Sequence, residues 1–385
     1  LLVERIGGGS RFDDLIAAPD GNRLDKARRH LGIPRDDTGG AQDEGRQLEG
    51  TLLVDEVLAV APRPVDEPHA RRFALDAARR RSAARVAAFR AVEARTFDRT
   101  LHDAREVRIN WSRGFVRAIV AGHGAPIVFI HGITGTLSNF APLAGALVAH
   151  RRCVLVDLPG HGLSGGLDLT GSQARPLLVE VISEVIIQTV GDTPAVLVGN
   201  SLGGMSALYV AADRPDLVAG VAVLGEPAFA FPGAVAKFPL SLLGRRGVGR
   251  LLLRVPPPPL AIYARSMRRA FGRRALNHMG SDALDANRLA VWAGGHASSV
   301  AGLMHSLMTA KGCARSEVPL RPDDYDAIDV PIWFLWGTED PFMPYEAGLP
   351  WIERFAHATS DVVVGGHLPW FDAPDLARER IEALT

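Results

Sequence analysis

Two cysteines in 385 residues are too few for a disulfide framework or a clustered thiolate metal site. Cys153 falls in an apolar, strand-like run and Cys313 lies far downstream, so both read as reduced core thiols. Excess charge is lacking as well. The 43 Lys and Arg are matched by 43 Asp and Glu, which argues against a partner selected by overall charge, bulk nucleic acid above all. No uninterrupted apolar run approaches the roughly 20 residues that span a bilayer, and the first residues lack the basic-then-apolar order of a secretory signal. The expectation is a soluble, cytoplasmic protein. With 47% hydrophobic and 22% charged residues the composition is that of an ordinary globular chain, and the length fits one large α/β domain carrying an extension and an insertion.

Residues 1–104 are read as an amino-terminal extension, loosely folded and then helical. Its first part mixes Gly, Pro and Asp with short apolar pieces such as Leu52-Leu53-Val54 and Val57-Leu58-Ala59-Val60. From about Glu67 the composition turns to Ala and Arg, and Val86, Phe89, Val92 or Glu93, Phe97 and Leu101 recur near helical spacing. Arg71, Arg72, Arg79, Arg80, Arg81 and Arg85 crowd the front of that stretch, and a solvated outer face is favoured over contact with a membrane.

Beyond Glu106 a β-hairpin is expected over Val107–Asn110 and Phe115–Ala121, and then apolar strands alternate with helices. Strands are expected at Ile127–Ile130, Cys153–Val156, Ala195–Val198, Val218–Leu224, Val330–Leu335 and Asp361–Val364. Helices are expected at Ser138–Val148, Ala174–Thr189, Met205–Ala212, Ala347–Phe355 and Pro374–Leu384. Such alternation of apolar strands with helices gives an α/β fold with a mostly parallel, doubly wound sheet. The alternation stops after Pro227 and resumes at Val330, which divides the chain into a core of residues 105–227 and 328–385 and a helical cap, or lid, of residues 228–327. Helices at Leu240–Leu253, Leu260–Phe271 and Ala301–Thr309 would build that cap over the carboxyl ends of the strands, where open α/β sheets bind ligands.

Chemistry concentrates on those same strand ends. Gly199-Asn200-Ser201-Leu202-Gly203 joins an apolar strand to a helix and fits the G-x-S-x-G nucleophile elbow. Ser201 would stand at the head of a helix, with the Leu202 amide aimed at a developing oxyanion. His367 follows the last strand and Asp340 the strand before it, so a base and an acid reach the same edge. The chain order Ser201, Asp340, His367 matches the nucleophile, acid, histidine order of one triad class. The second oxyanion donor would be the amide of Ile133 in His131-Gly132-Ile133-Thr134-Gly135, with Gly132 as the alternative. Glu226, at the end of the strand after the elbow, is the alternative acid. His131 and His161 are read as loop-packing residues, and Asp157 as a carboxylate accepting amides of its own loop.

Together HGITG, the Asp157–Ser164 run, GNSLG, WGTEDP and GGHLPW resemble the α/β-hydrolase superfamily, over roughly residues 106–385. The resemblance implies a serine hydrolase with a Ser-Asp-His triad, no metal or organic cofactor, and a cap after the sixth strand that shapes the substrate pocket. Phe238 and Leu242 are the substrate-contacting candidates, within an apolar group that also holds Phe229, Phe231 and Leu243. The expected activity is hydrolysis of a carboxylic ester or lactone of a hydrophobic small molecule through an acyl-enzyme. The GNSLGG elbow is also similar to that of hydrolases that cleave carbon–carbon bonds in ring-opened dienoic diketones, although the oxyanion loop lacks their Gly-Pro-Gly-Ala wording. A non-catalytic binding or sensor protein on the same fold is the remaining alternative.

Overall fold

The computed structural model describes residues 67–385 except 168, 170–172, 238–239 and 246, and leaves the side chains of 67–81 and 269 undescribed. The short apolar runs near residues 52–60, the side chains of five of the six amino-terminal arginines (Arg71 to Arg81) and Phe238 therefore fall outside what is described.

Eight strands form one sheet: β1 Arg105–Trp111, β2 Gly114–Ala121, β3 Ala125–Ile130, β4 Arg151–Asp157, β5 Ala195–Asn200, β6 Val218–Leu224, β7 Ile332–Gly337 and β8 Ala358–Val363. Their order across the sheet is β1-β2-β4-β3-β5-β6-β7-β8. The β1–β2 and β2–β4 pairings are antiparallel and every later pairing is parallel. Strand β5 is buried along its whole length, as is β7, which explains their unbroken apolar sequences: both of their faces are covered by helices. The chain leaves β3 for β4 on one side and returns to β5 on the other. That reversal opens a crevice at the carboxyl ends of β3 and β5, where open α/β sheets place their ligands.

One face of the sheet is covered by Ala174–Val190 and Leu202–Asp213, whose Leu177, Val181, Ile182, Met205 and Leu208 join the larger apolar cluster. The other is covered by Leu137–Leu147 and the carboxyl-terminal Pro369–Asp372 and Pro374–Glu382, through Phe140, Leu143, Trp370 and Ile381. In place of the helix expected over Ser138–Val148 there is a 3-10 turn at Leu137–Phe140 and a five-residue helix at Ala141–Gly145. Gly145 abuts the Thr100 carbonyl so closely that a Cβ there would lie 2.2 Å from its oxygen. The last strand begins three residues earlier than expected. Cys153 is buried as anticipated, but Cys313 is exposed and is no core thiol.

Between β6 and β7 the chain forms helices at Val248–Leu252, Leu260–Phe271, Arg273–Ala293, Ala297–Leu307 and Pro322–Ala327. The expected helix at Leu240–Leu253 is a 3-10 turn followed by a short helix, because the Gly247 break at φ 78° separates them. The sequence reading missed Arg273–Ala293, a helix kinked at Gly280 in which five of the ten buried positions are alanine. The inserted segment packs on loops that follow strands. Asn287 exchanges hydrogen bonds with Asn139 at 2.7 and 3.2 Å, Ser299 Oγ accepts the Leu167 amide at 2.7 Å, and the Ala270 carbonyl accepts the His367 amide at 3.0 Å.

The helix Glu67–Thr100, of which residues 74–100 belong to the same compact unit as the sheet, buries Phe89 and Val92 against Ala286, Leu289, Ala290 and Ala293. Phe89 is fully buried. Phe89→Ala is expected to lower unfolding free energy by about 3 to 5 kcal/mol through lost transfer energy and the cavity left behind. Urea titration measures it, and an unchanged midpoint would show that this helix does not stabilise the inserted segment.

Candidate active site

Ser201 is the single residue between β5 and the helix Leu202–Asp213, and it sits at φ 53°, ψ −116°. A non-glycine residue holds that conformation only when its surroundings force it. The forcing is visible at Gly199 and Gly203. A Cβ on Gly199 would lie 2.3 Å from the Gly203 carbonyl carbon, and one on Gly203 would lie 1.9 Å from the Ile130 oxygen. The strand, the elbow and the helix thus touch backbone to backbone, and the turn has no room to relax. As the residue before the first helical turn, Ser201 faces the positive end of that helix, and the first-turn amides have no helical acceptor.

His367 and Asp340 meet directly, with Nδ1 2.7 Å from Asp340 Oδ2. Both are buried. Asp340 is fully engaged: Oδ2 also accepts the Glu226 amide at 3.1 Å, and Oδ1 accepts the Phe342 amide at 3.1 Å. The Phe342 ring stands edge-on to the imidazole with centroids 4.5 Å apart. Asn200, which the sequence reading did not single out, ties the elbow to the histidine loop. Its Nδ2 donates to the carbonyls of Leu224 at 2.6 Å and His367 at 3.0 Å. Among the described residues Ser201 Oγ and His367 Nε2 share no hydrogen bond, a spacing that commonly tightens only when substrate is bound.

Glu226 occupies a different environment from its neighbour Asp340. Its side chain is buried and Oε1 has no partner among the described residues. Burial, reinforced by the Asp340 charge, pushes its pKa well above the usual carboxylate range.

The loop after β3 passes beside the elbow. A Cβ on Gly132 would lie 3.1 Å from that of Ser201, and Gly135 N–H closes the turn onto the Gly132 carbonyl at 3.0 Å. The Thr134 amide donates to His161 Nε2 at 3.2 Å, whereas the Ile133 amide meets no acceptor among the described residues. His161 Nδ1 in turn lies 3.1 Å from the Pro159 carbonyl, and His131 accepts the Leu158 amide on Nε2 at 3.0 Å with Nδ1 2.7 Å from the Gly132 carbonyl. Each ring is therefore a neutral Nδ1–H tautomer bracing two loops. Burial lowers both pKa values, that of His161 to about 3.

Beneath these loops lies a buried charge cluster that the sequence did not reveal. Arg117 Nη1 donates to Glu93 at 2.8 Å and to Asp157 at 3.2 Å, and Nε donates to Glu106 at 2.8 Å. Asp157 accepts more than its own loop's Leu163 amide: Oδ1 also takes Thr136 Oγ1 at 3.0 Å and the Leu137 amide at 2.9 Å. An arginine inside the otherwise apolar run of β2 was the available signal, since a buried cation requires buried counter-charges. Burial pushes Glu93 up to about 7 against the pull of Arg117, which makes Glu93 the member that takes a proton first as pH falls.

Of the substrate-contacting candidates, Phe238 lies outside the described residues, and Leu242 is half-buried in the turn Leu240–Gly244. Phe229 and Phe231 are core, with Phe231 against Phe334 at 5.9 Å between centroids. A cleft of about 1920 Å³ is lined by Arg175, Tyr209, Asp213, Arg245, His296 and Arg315 among others and does not include Ser201, Asp340 or His367. Its Arg175 is already paired to Asp213 and Asp324, so size alone does not make it the reactive site. No cluster of three or more potential metal ligands occurs among the described residues, and no helix among them is long and apolar enough to cross a membrane.

A model of the alpha/beta hydrolase family matches residues 127–379, and the chain belongs to that family. In sequence it is similar to a pimeloyl-acyl-carrier-protein methyl ester esterase of Xanthomonas campestris pv. campestris, at 41% identity over 111 residues. The match covers 29% of this chain and 40% of the relative, so the chain spans about two fifths of the length of the curated relatives it matches. In structure it is similar to a thermophilic esterase from Thermogutta terrifontis, with a TM-score of 0.56 and 21% identity over 73% of this chain and 97% of that one. Carboxylesterase CesB from Bacillus subtilis matches with a TM-score of 0.54 and 14% identity, over 78% and 98%. These likenesses establish the fold.

The two histidines generate a pH prediction. A folded-state pKa near 3 for His161 lies below the ordinary 6.5, so its contribution to stability is present above pH 6.5 and is lost as pH falls toward 3. Between pH 7 and pH 5 that loss is about 2 kcal/mol. Glu93, titrating near 7, acts in the opposite sense, so the parent protein's own curve sums both. His161→Gln is expected to lose about 2 kcal/mol less than the parent over that interval. Denaturant unfolding at both pH values checks this, and parallel losses would show His161 to be protonated without cost.

Proposed function

We propose that the chain is a serine hydrolase that cleaves a carboxylic ester or lactone of a hydrophobic small molecule through an acyl-enzyme. The observation that carries the reading is the 2.7 Å contact between His367 Nδ1 and Asp340, on the loop that Asn200 ties to the Ser201 elbow. Asp340 holds Nδ1 protonated and leaves Nε2 as the base. His367 Nε2 takes the Ser201 Oγ proton as Oγ bonds to the carbonyl carbon, and the carbonyl electron pair moves onto oxygen. The Leu202 and Ile133 amides receive that oxyanion. Its collapse breaks the bond to the leaving oxygen, which takes the proton from His367, and water repeats the sequence to release the acid and restore Ser201. The inserted segment closes over these strand ends as a cap, and Leu242 with Phe238 contributes to the acyl pocket. The relatives that share sequence with this chain are methyl ester esterases by description, which agrees with an ester as the bond cleaved.

Glu226 is not the acid of this triad. The imidazole nitrogen already has Asp340 at 2.7 Å, and Glu226 reaches Asp340 through its backbone amide.

Ser201→Ala is expected to lower p-nitrophenyl butyrate turnover by at least about a thousandfold and to abolish fluorophosphonate labelling, with an unchanged melting temperature. Folded Ser201→Ala protein that retains parent turnover sinks the assignment. Asp340→Asn should reduce kcat by about three orders of magnitude, and Glu226→Gln by less than about tenfold. The reverse ranking in soluble, folded variants would move the acid to Glu226.

A further inference from the structure

Charge balance in this protein holds for the whole chain and fails locally. Residues 227–281 contain nine arginines and one lysine and not a single Asp or Glu, so the electroneutral chain carries its matching excess of acid elsewhere. The stretch covers the first half of the inserted segment. Arg245, Arg250, Arg254, Arg265 and Arg268 are exposed, and among the described residues none of them meets a carboxylate. A solvated structural face would mix signs, as the Arg95–Asp282 and Arg378–Glu382 pairs do elsewhere.

The same stretch carries most of the large apolar side chains left in water. Leu251 is 67% exposed, Val255 58% and Ile262 58%, with Val248 and Leu252 also exposed. They lie along Val248–Leu252, at Val255 before the Pro256–Pro259 stretch and on Leu260–Phe271, interleaved with the arginines. The helix Leu260–Phe271 shows the arrangement directly. Leu260, Tyr263, Ala264 and Phe271 pack inward on the cluster that covers the sheet, while Ile262, Arg265 and Arg268 point away. An outward face of branched apolar side chains set among unpaired guanidinium groups is complementary to an interface that is apolar at depth and anionic at its surface. Nucleic acid satisfies the charge and not the apolar groups. A bilayer surface satisfies both.

We infer that this part of the inserted segment docks the protein on an anionic lipid surface, with Leu251, Val255 and Ile262 entering the headgroup region and the arginines binding lipid phosphates. The sequence expectation weighs membrane contact for the amino-terminal arginines, where a solvated face is favoured; the exposed apolar groups lie here instead. The docking face and the candidate site are linked by one element. Leu260–Phe271 ends where Ala270 accepts the His367 amide, which puts His367 within about 18 Å, one length of that helix, of the lipid surface.

Co-sedimentation of the full chain with phosphatidylglycerol and with phosphatidylcholine vesicles tests the proposal without any substrate. The expected result is binding to the anionic vesicles that weakens with added salt, and none to the zwitterionic ones. Leu251→Asn with Val255→Asn, and separately Arg250→Glu with Arg254→Glu, should each reduce the bound fraction at least about tenfold, with melting temperature and turnover of a soluble ester unchanged. The charge-reversal pair keeps the test decisive if the apolar pair disturbs folding. Three results overturn the proposal. The parent chain stays in the supernatant, or the variants bind like the parent, or the parent binds soluble polyglutamate and ignores vesicles, which would make the partner an acidic protein.

Discussion

The close approach of β5, the helix that follows it and β3 is the constraint from which the site takes its shape. Gly203 lies so near Ile130 that no side chain fits between them, and Gly199 is pressed on Gly203 in the same way. With both neighbours locked, Ser201 is left in a conformation that a free serine seldom adopts. The backbone strain fixes where Oγ can be, and the sheet's reversal at β3 and β5 fixes what else arrives there. The loop that carries Ile133 follows Ile130 directly, so one contact sets Ser201 and the Ile133 amide relative to each other.

Asp157 does for the loops what those glycines do for the elbow. A single carboxylate accepts from Leu137, Thr136 and Leu163 and pairs with Arg117, so the turns after β3 and β4 share one anchor. The hub needs Arg117 because an uncompensated buried carboxylate would protonate and give up acceptor strength. Glu93 completes it from the helix Glu67–Thr100, which couples that helix to the loop beside Ser201 by a buried ion pair as well as by Phe89. The two histidines then brace the same loops as neutral rings, a role that uses imidazole as a shape with one donor and one acceptor rather than as a base.

What the sequence disclosed follows from where the information is local. The G-x-S-x-G turn, the strand-end positions of Asp340 and His367, and the parallel alternation can each be read from a few adjacent residues, and the alpha/beta hydrolase fold follows from them. Arg117, Glu93 and Asn200 were missed because their meaning depends on partners far along the chain, as with Arg117 and Glu93, 24 residues apart, or Asn200 and His367, 167 apart. The inserted segment was legible only in outline. Its longest helix has five alanines among its ten buried positions, and Gly247 breaks what the sequence pattern runs together as one helix over Leu240–Leu253.

The contrast between Glu226 and Asp340 shows how position alone fails to assign chemistry. Both follow strands at the same sheet edge, and both are buried. Asp340 receives two backbone amides and an imidazole. Glu226 supplies one of those amides and keeps an unpartnered Oε1 among the described residues, and burial pushes its pKa well above the usual carboxylate range. Glu226 therefore serves Asp340 through its backbone, and that division of labour is set by hydrogen-bond supply rather than by position along the sheet edge.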